Sequence, residues 1–297
     1  MLRHSNRFFA ALVILLGVVA GFAAEPTAPG ALTAQQVIER MKANVGIPWS
    51  AGPTVDTFKA GDPSTPVKGI ATCMMATFDV LKRAADQGAN LIITHEPTFW
   101  GHLDSVESMA SENDAVLQAK LAFIKEHNLV IFRFHDHIHQ MKPDMIVAGV
   151  TRALGWEKFR SADSDLKYVL PETTLGELAA DIATKLDIKT LRVTGDPAVK
   201  VSRIGFSPGF SGFGKHRRLL QDENVEVLVY GEAYEWETIE YAADAITAGR
   251  KKGLITMGHI PSEEAGMKEC AAWLKTFVPE VPIHFIPTPE PFWSPKH

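Results

Sequence analysis

The stretch Leu91–Trp100, LIITHEPTFW, constrains this chain more than any other. Leu91, Ile92, Ile93 and Thr94 make an apolar, β-branched run that reads as a buried strand. Pro97 cannot extend a strand's hydrogen bonding and biases Glu96 toward an extended conformation, so the strand is expected to stop at His95-Glu96-Pro97. An imidazole and a carboxylate at a strand tip stand where open α/β sheets collect ligands. Taken alone, a turn with two solvated polar residues is the plainer explanation. Two later stretches shift that balance.

The periodicity along the chain alternates helices and strands. Thr33 is placed to cap a helix running to about Asn44, with Val37, Ile38 and Met41 inward. Residues 46–66 are rich in Pro and Gly and read as loop. A strand over 67–76, a helix capped by Thr77 and ended by Gly88, and the strand ending at His95 imply a parallel pair with a right-handed crossover. An amphipathic helix over 112–127 precedes a buried strand, 129–134, which runs into His135-Asp136-His137-Ile138-His139. Helices are expected over 144–154, 174–186 and 237–248, and strands over 190–195, 201–207, 225–230, 254–257 and 283–287. Pro261 suits the first turn of a helix reaching about Phe277. A weak echo joins Thr77–His95 to Thr238–His259: each reads as helix, Gly, apolar strand, His.

The chain begins differently. Arg3, His4 and Arg7 precede an apolar run from Phe8 to Phe22, followed by Ala23, Ala24 and Glu25. This is the layout of a secretory signal peptide over residues 1–24, and the run is short for a membrane span of about 20 residues. The expectation is a secreted or periplasmic protein with no stable membrane span after cleavage. Losing Arg3 and Arg7 takes the formal charge from −5 to −7, which argues against nucleic acid as a partner. Cys73 and Cys270 read as buried small hydrophobes, although an oxidising compartment permits a bond.

Three strand ends therefore present imidazoles and carboxylates: His95 and Glu96; His135, His137 and His139; and His259 with Glu263 four residues on. In helical geometry His135 and His139 share a face; in strand geometry all three of that group would. His and carboxylate are the ligands that zinc, manganese, iron or nickel take. One metal needs three or four protein ligands, so His95, Glu96, His135, His139, His259 and Glu263 suit two metals close together. His102, His127, His216, His284 and His297 are left as ordinary histidines.

The stretch leading to Leu91–Trp100, the LVIFRFH strand, the Gly-rich run near Gly209–Gly214, Tyr230-Gly231-Glu232, and Gly258-His259 with Ser262-Glu263 together resemble the Nif-three-like dinuclear-metal-centre family, often labelled GTP cyclohydrolase I type 2 homologues. The resemblance covers roughly residues 33–292. It implies an α/β fold in which two lobes of mixed sheets, contributed by the N- and C-terminal halves of residues 25–292, flank a two-metal site, with 293–297 as a tail. It also implies a homohexamer. His95, His135, His259 and Glu263 stand where the family has ligands. The family usually has His where this chain has Glu96 and Asp where it has His139. If both positions face one metal, that exchange preserves its charge. Trp236 stands where the family has a further His.

The function these readings imply is an exported metal-dependent hydrolase acting on an unknown small molecule, with two divalent ions (zinc, manganese or iron) and a bridging water whose pKa falls from 15.7 toward about 7. Glu96 is either a ligand or a general base. Glu232 is a candidate to orient a ligand His, and His137 a further candidate near the site. Arg133 is a candidate for a substrate phosphate or carboxylate, or the partner in a surface ion pair. The Gly209–Gly214 loop, with Lys215, Arg217 and Arg218, either presents N–H groups to an anion or is a plain turn before a basic helix. The alternative function is a non-catalytic metal-binding scaffold or ring-forming, partner-binding protein.

Overall fold

Two five-stranded mixed sheets carry the site, and the computed structural model describes them within residues 32–295. The expected signal peptide and its cleavage point lie outside the described residues. From Leu32 onward the chain forms one unit. Its helices are α1 (Ala34–Asn44), α2 (Phe78–Asp86), α3 (Glu107–Ser111), α4 (Ala115–Glu126), α5 (Asp136–Gln140), α6 (Met145–Leu154), α7 (Leu175–Lys185), α8 (Phe213–Gln221), α9 (Glu240–Thr247) and α10 (His259–Lys275). Its strands are β1 (Phe58–Ala60), β2 (Ile70–Met75), β3 (Leu91–Glu96), β4 (Val130–Arg133), β5 (Lys167–Thr174), β6 (Arg192–Thr194), β7 (Lys200–Phe210), β8 (Val227–Glu232), β9 (Gly253–Thr256) and β10 (Ile283–Phe285).

The first sheet has the order β1-β4-β3-β2-β10, the second β5-β7-β8-β9-β6. In each, the inner strands are parallel and an edge strand is antiparallel: β2, β3, β4 and β10 run together against β1, and β7, β8 and β9 run together between antiparallel β5 and β6. Inner strands covered on both faces need unbroken apolar sequence, and β3, β4 and β9 are buried at every position. Helix α2 makes the β2-to-β3 crossover and α9 the β8-to-β9 crossover, so His95 and His259 leave the carboxyl ends of equivalent strands.

Helix α10 joins the two sheets. Met267, Cys270, Ala271 and Leu274 pack into the core of the first sheet with Ile70, Leu91, Val130 and Phe134. Gly266 fits against Ile146 of α6 so closely that a Cβ there would lie 2.5 Å from the Ile146 Cα. The first turn of α10 meets β7 and β8. Cys73 and Cys270 are both free and buried, as small hydrophobes are.

Several boundaries differ from the periodicity. The strand β3 does not stop before His95 but includes His95 and Glu96, both buried. Gly209 and Phe210, read as the start of a Gly-rich loop, belong to the end of strand β7. The first turn of α10 begins at His259, two residues before Pro261. A single π turn, Glu235–Ile239, precedes α9. The edge strands β1 and β5 escape the periodicity: one has only three residues, and the other contains Pro171, which is tolerated at a sheet edge. Among the described residues no helix is long and apolar enough to cross a membrane.

Candidate metal centre

The tips of β3 and β4 and the start of α10 converge on one hollow. The ligand atoms of His95, His135 and His139 lie within 4.8 Å of one another, and so do those of His95, Glu96 and Glu263. His259 Nε2 sits 3.2 Å from Glu96 Oε1 and 3.3 Å from Glu263 Oε2. All six sequence-derived ligand candidates are thus together. Glu96 and His139 fall in different triads, so the exchange at these positions changes both donor sets. It leaves one triad of three imidazoles and one with two carboxylates.

Each of the four imidazoles is held by its Nδ1, leaving Nε2 for the hollow. His95 Nδ1 meets Phe134 O at 3.1 Å, which the parallel β3–β4 pairing brings alongside. His135 Nδ1 meets Asp136 Oδ1 at 3.0 Å, His139 Nδ1 meets Asp144 Oδ2 at 3.0 Å, and His259 Nδ1 meets Glu232 Oε2 at 2.9 Å. An acceptor on Nδ1 selects the tautomer with the proton there and the lone pair on Nε2, as metal-binding histidines require. Glu232 is the group that meets the His259 ring on the side away from the hollow. Asp136 and Asp144 do the same for their own histidines, and Asp144 also caps α6 through Ile146 N and Val147 N.

The short helix α5 decides the geometry of the His135-x-His137-x-His139 run. His135 and His139 share a side and His137 faces away. Its Nδ1 meets Asp56 Oδ2 at 2.6 Å, its Nε2 accepts from Ser50 N at 2.9 Å, and its ring stacks on Trp49 at 3.7 Å. With both ring nitrogens engaged and the ring fully buried, His137 is a structural residue and no part of the hollow. Asp56 also accepts from the backbone N–H groups of His135, Asp136 and His137. A carboxylate at these N–H groups satisfies the donors a helix start leaves open. Asp56 went unnoticed because it lies in a loop about 80 residues earlier in the chain.

Arg133 is also corrected. It is fully buried, so it neither meets a substrate nor makes a surface pair. Its guanidinium donates to Glu96 Oε2 at 3.0 Å and to the carbonyl of His95 at 3.0 Å, and lies 3.6 Å from Asp104 Oδ2. Asp104 in turn accepts from Thr98 N and Phe99 N and pairs with Lys59 at 3.5 Å. Arg133 therefore pins one oxygen of Glu96 and leaves Oε1 facing the imidazoles.

Glu263 is seated by glycines. A Cβ at Gly209 would lie 2.3 Å from Glu263 Oε1, and Gly209 has φ +62, which favours glycine. A Cβ at Gly231 would lie 2.4 Å from Ser262 Oγ and 2.6 Å from Gly209 O. The Gly209 N–H donates to Ser262 Oγ at 2.9 Å. This glycine is a packing device that lets β7 and β8 approach α10, and its N–H is not offered to an anion.

The electrostatics follow from burial and proximity. Burial alone would raise the carboxyls of Glu96 and Glu263, but the imidazoles of His135 and His259 facing Glu96, and of His259 and His95 facing Glu263, outweigh it and hold both well below the usual range. Burial lowers His95 against the pull of Glu263. For His259 burial is outweighed by Glu232, Glu263 and Glu96, and its pKa is raised.

These residues fit a divalent cation. Among the described buried side-chain atoms, His95 Nε2 and Glu263 Oε2 have no hydrogen-bond partner, though they face each other at 3.5 Å. A buried polar atom left unpaired costs about 1–3 kcal/mol, and a cation between a lone pair and a carboxylate satisfies both.

The fold and this hollow define a class: an α/β protein with two mixed sheets and a His/Glu cluster able to bind metal at their meeting point. Residues 49–291 match the family model described as Duf34/NIF3 (NGG1p interacting factor 3), and the chain belongs to that family. It is 24% identical over 238 residues, 79% of this chain and 89% of the relative, to a Chlamydia pneumoniae protein named GTP cyclohydrolase 1 type 2 homolog. A Clostridium acetobutylicum protein of the same name is 26% identical over 152 residues, 48% of this chain and 54% of that one. Among solved structures, a Bacillus cereus protein related to NIF3 superposes with TM-score 0.67 at 14% identity, covering 88% of this chain and 99% of that one. A Staphylococcus aureus hypothetical protein, SA1388, does so with TM-score 0.66 at 19% identity, covering 89% and 99%. These two share the fold.

Proposed function

We propose that this protein is a metal-dependent hydrolase whose centre holds two divalent ions, zinc, manganese or iron, through His95, Glu96, His135, His139, His259 and Glu263. The observation that carries the reading is the set of six donor side chains turned into one hollow, two of them buried with unpaired atoms. Bound there, such ions supply Lewis acidity and activate water at neutral pH. The chain's own residues do the rest. Arg133 fixes Glu96 as a carboxylate with one free oxygen, which favours ligand over general base. Asp136, Asp144, Glu232 and the Phe134 carbonyl hold each Nδ1 and turn each Nε2 toward the hollow. The buried floor of Arg133, Asp104 and Lys59 excludes water from beneath the ligands. A cavity of about 490 Å³, lined in part by Glu96, His135, His259 and Glu263, leaves room for a small substrate.

The N-terminal apolar run supports export, and the family resemblance supports a homohexamer. Export to the envelope separates the protein from GTP, so the cyclohydrolase label of its relatives is not adopted as its reaction.

The test has two arms. Elemental analysis of protein from its native compartment gives about two metal equivalents per chain. The loaded protein is then screened against phosphoesters, peptides and nucleotides, GTP included. Turnover that disappears in Glu263→Ala and His95→Ala supports the hydrolase. Stoichiometric metal with no turnover on any class replaces it with a metal-binding scaffold, and GTP ring opening replaces it with a nucleotide hydrolase.

A further inference from the structure

The cavity beside the cluster has a wall that the ligand set does not use. Lys215, in the first turn of α8, lines it together with Glu96, His259 and Glu263. Its Nζ donates to Ser211 Oγ at 3.2 Å, and among the described residues no carboxylate lies within ion-pair distance of it. The contrast with Lys59 and Arg133, which are buried against Asp104 and Glu96, is direct. An ammonium cannot ligate a cation and is repelled by one. A cation facing a cation-binding hollow is complementary to an anion lying between them.

The same wall continues into aromatic rings. Phe210 lines the cavity and is 45% exposed. Tyr234 meets it edge-on at 5.4 Å and is 50% exposed, and Trp236 stacks on Tyr234 at 4.8 Å and is 72% exposed. Phe210 at the cavity, continued outward by Tyr234 and Trp236, offers a flat apolar surface next to a charged one. The β7–β8 pairing, with Phe210 opposite Glu232, holds this shelf beside the ring of His259.

We propose that this wall is the substrate-recognition surface, that Lys215 pairs with the oxyanion of the substrate, and that Phe210, Tyr234 and Trp236 take a flat apolar group attached to it. The substrate class is a small organic phosphate or carboxylate bearing a planar ring. The proposal rests on the hydrolase reading above and narrows it. The Gly209–Gly214 segment contributes through Phe210 and Ser211 side chains rather than as a backbone anion nest, and Arg217 and Arg218 point to solvent.

Binding tests it without turnover. Zinc-loaded full-length protein is titrated calorimetrically with phenylphosphonate, methylphosphonate and benzoate, and zinc content is measured on every sample. The wild type binds phenylphosphonate more tightly than methylphosphonate. Lys215→Met weakens both by about tenfold, the scale of one charge-assisted hydrogen bond, while Lys215→Arg retains most of the affinity. Tyr234→Ser removes the preference for the phenyl ligand and leaves methylphosphonate unchanged. Benzoate binding as tight as phenylphosphonate assigns carboxylates to the wall, and weaker binding assigns phosphate esters. Equal affinities in wild type and Lys215→Met, or a phenyl preference that survives Tyr234→Ser, overturn the proposal. Absence of zinc from the wild type sinks the hydrolase reading instead, and the Lys215 comparison is then read on metal-free protein.

Discussion

The two walls of the cavity are built on opposite plans. The wall from the first sheet is a closed ionic structure: Arg133 under Glu96, Asp104 between Arg133 and Lys59, and Asp56 across the start of α5. Each charge there has a partner, and the imidazoles above are locked by their Nδ1 contacts. The wall from the second sheet seats Glu263 of α10 in a glycine cradle, but beyond it leaves Lys215 without an ion pair and three aromatic rings uncovered. The difference teaches a division of labour. Charges that hold fixed ligands are satisfied inside the protein, and groups that meet a variable partner are left unsatisfied at its surface.

The largest effect that can break this comparison is at Arg133. Arg133→Met strands the buried Glu96 and weakens the hold on Asp104, so chemical denaturation should show a loss of about 3–5 kcal/mol. A loss within ordinary surface scatter would mean the floor of the first wall is not held by charge.

The next test concerns what stands behind the second wall. His216 on α8 is buried, with Nδ1 at 2.9 Å from Thr238 Oγ1, and burial pushes its pKa down to about 4. The unfolded chain accepts that proton near pH 6.5, before the native protein does. Its contribution to stability is therefore complete above pH 6.5 and is lost as pH falls toward 4. Relative to His216→Gln, the wild type should lose about 3 kcal/mol across that window. Parallel pH profiles of the two would contradict it.

Gly209→Ala comes third. The added methyl meets Glu263 Oε1, and the positive φ adds strain, for a stability loss of about 1–3 kcal/mol and a fall in bound metal. Retained metal stoichiometry would show that Glu263 is not seated by the cradle.

The smallest effects sharpen the contrast. Asp144→Asn keeps the cap of α6 but removes the carboxylate that faces His139 Nδ1, so metal affinity should fall roughly tenfold with little change in stability. Lys215→Met should change stability by no more than about 0.5 kcal/mol, as expected of a half-buried group with no ion-pair partner to strand.

Much of the first wall's function could be read from sequence, because strand tips announce themselves. An apolar run followed by His95-Glu96-Pro97, or by His135-x-x-x-His139, fixes both the element and the place where its polar residues emerge. Gly258-His259 with Glu263 four residues on is readable for the same reason. What could not be read is what holds these side chains. Asp56 reaches the site from a loop about 80 residues earlier, and Asp104 folds back from the loop just after β3. Arg133 looks like a surface charge until its strand is known to be buried on both faces. His137 could not be separated from His135 and His139 until α5 turned out to be helical, since strand geometry would put all three on one face. The packing role of Gly209 and Gly231 depends on the approach of α10, which no local pattern encodes.

The central claim is that six side chains, from the end of β3, from α5 after β4 and from the start of α10, hold a pair of cations. Anomalous diffraction from crystals grown with zinc, recorded on both sides of its absorption edge, tests it directly. The account predicts two peaks per chain, one among the Nε2 atoms of His95, His135 and His139 and one against Glu96 and Glu263, with His259 beside them. Peaks confined to surface residues, or none at all in protein that folds normally, would contradict it.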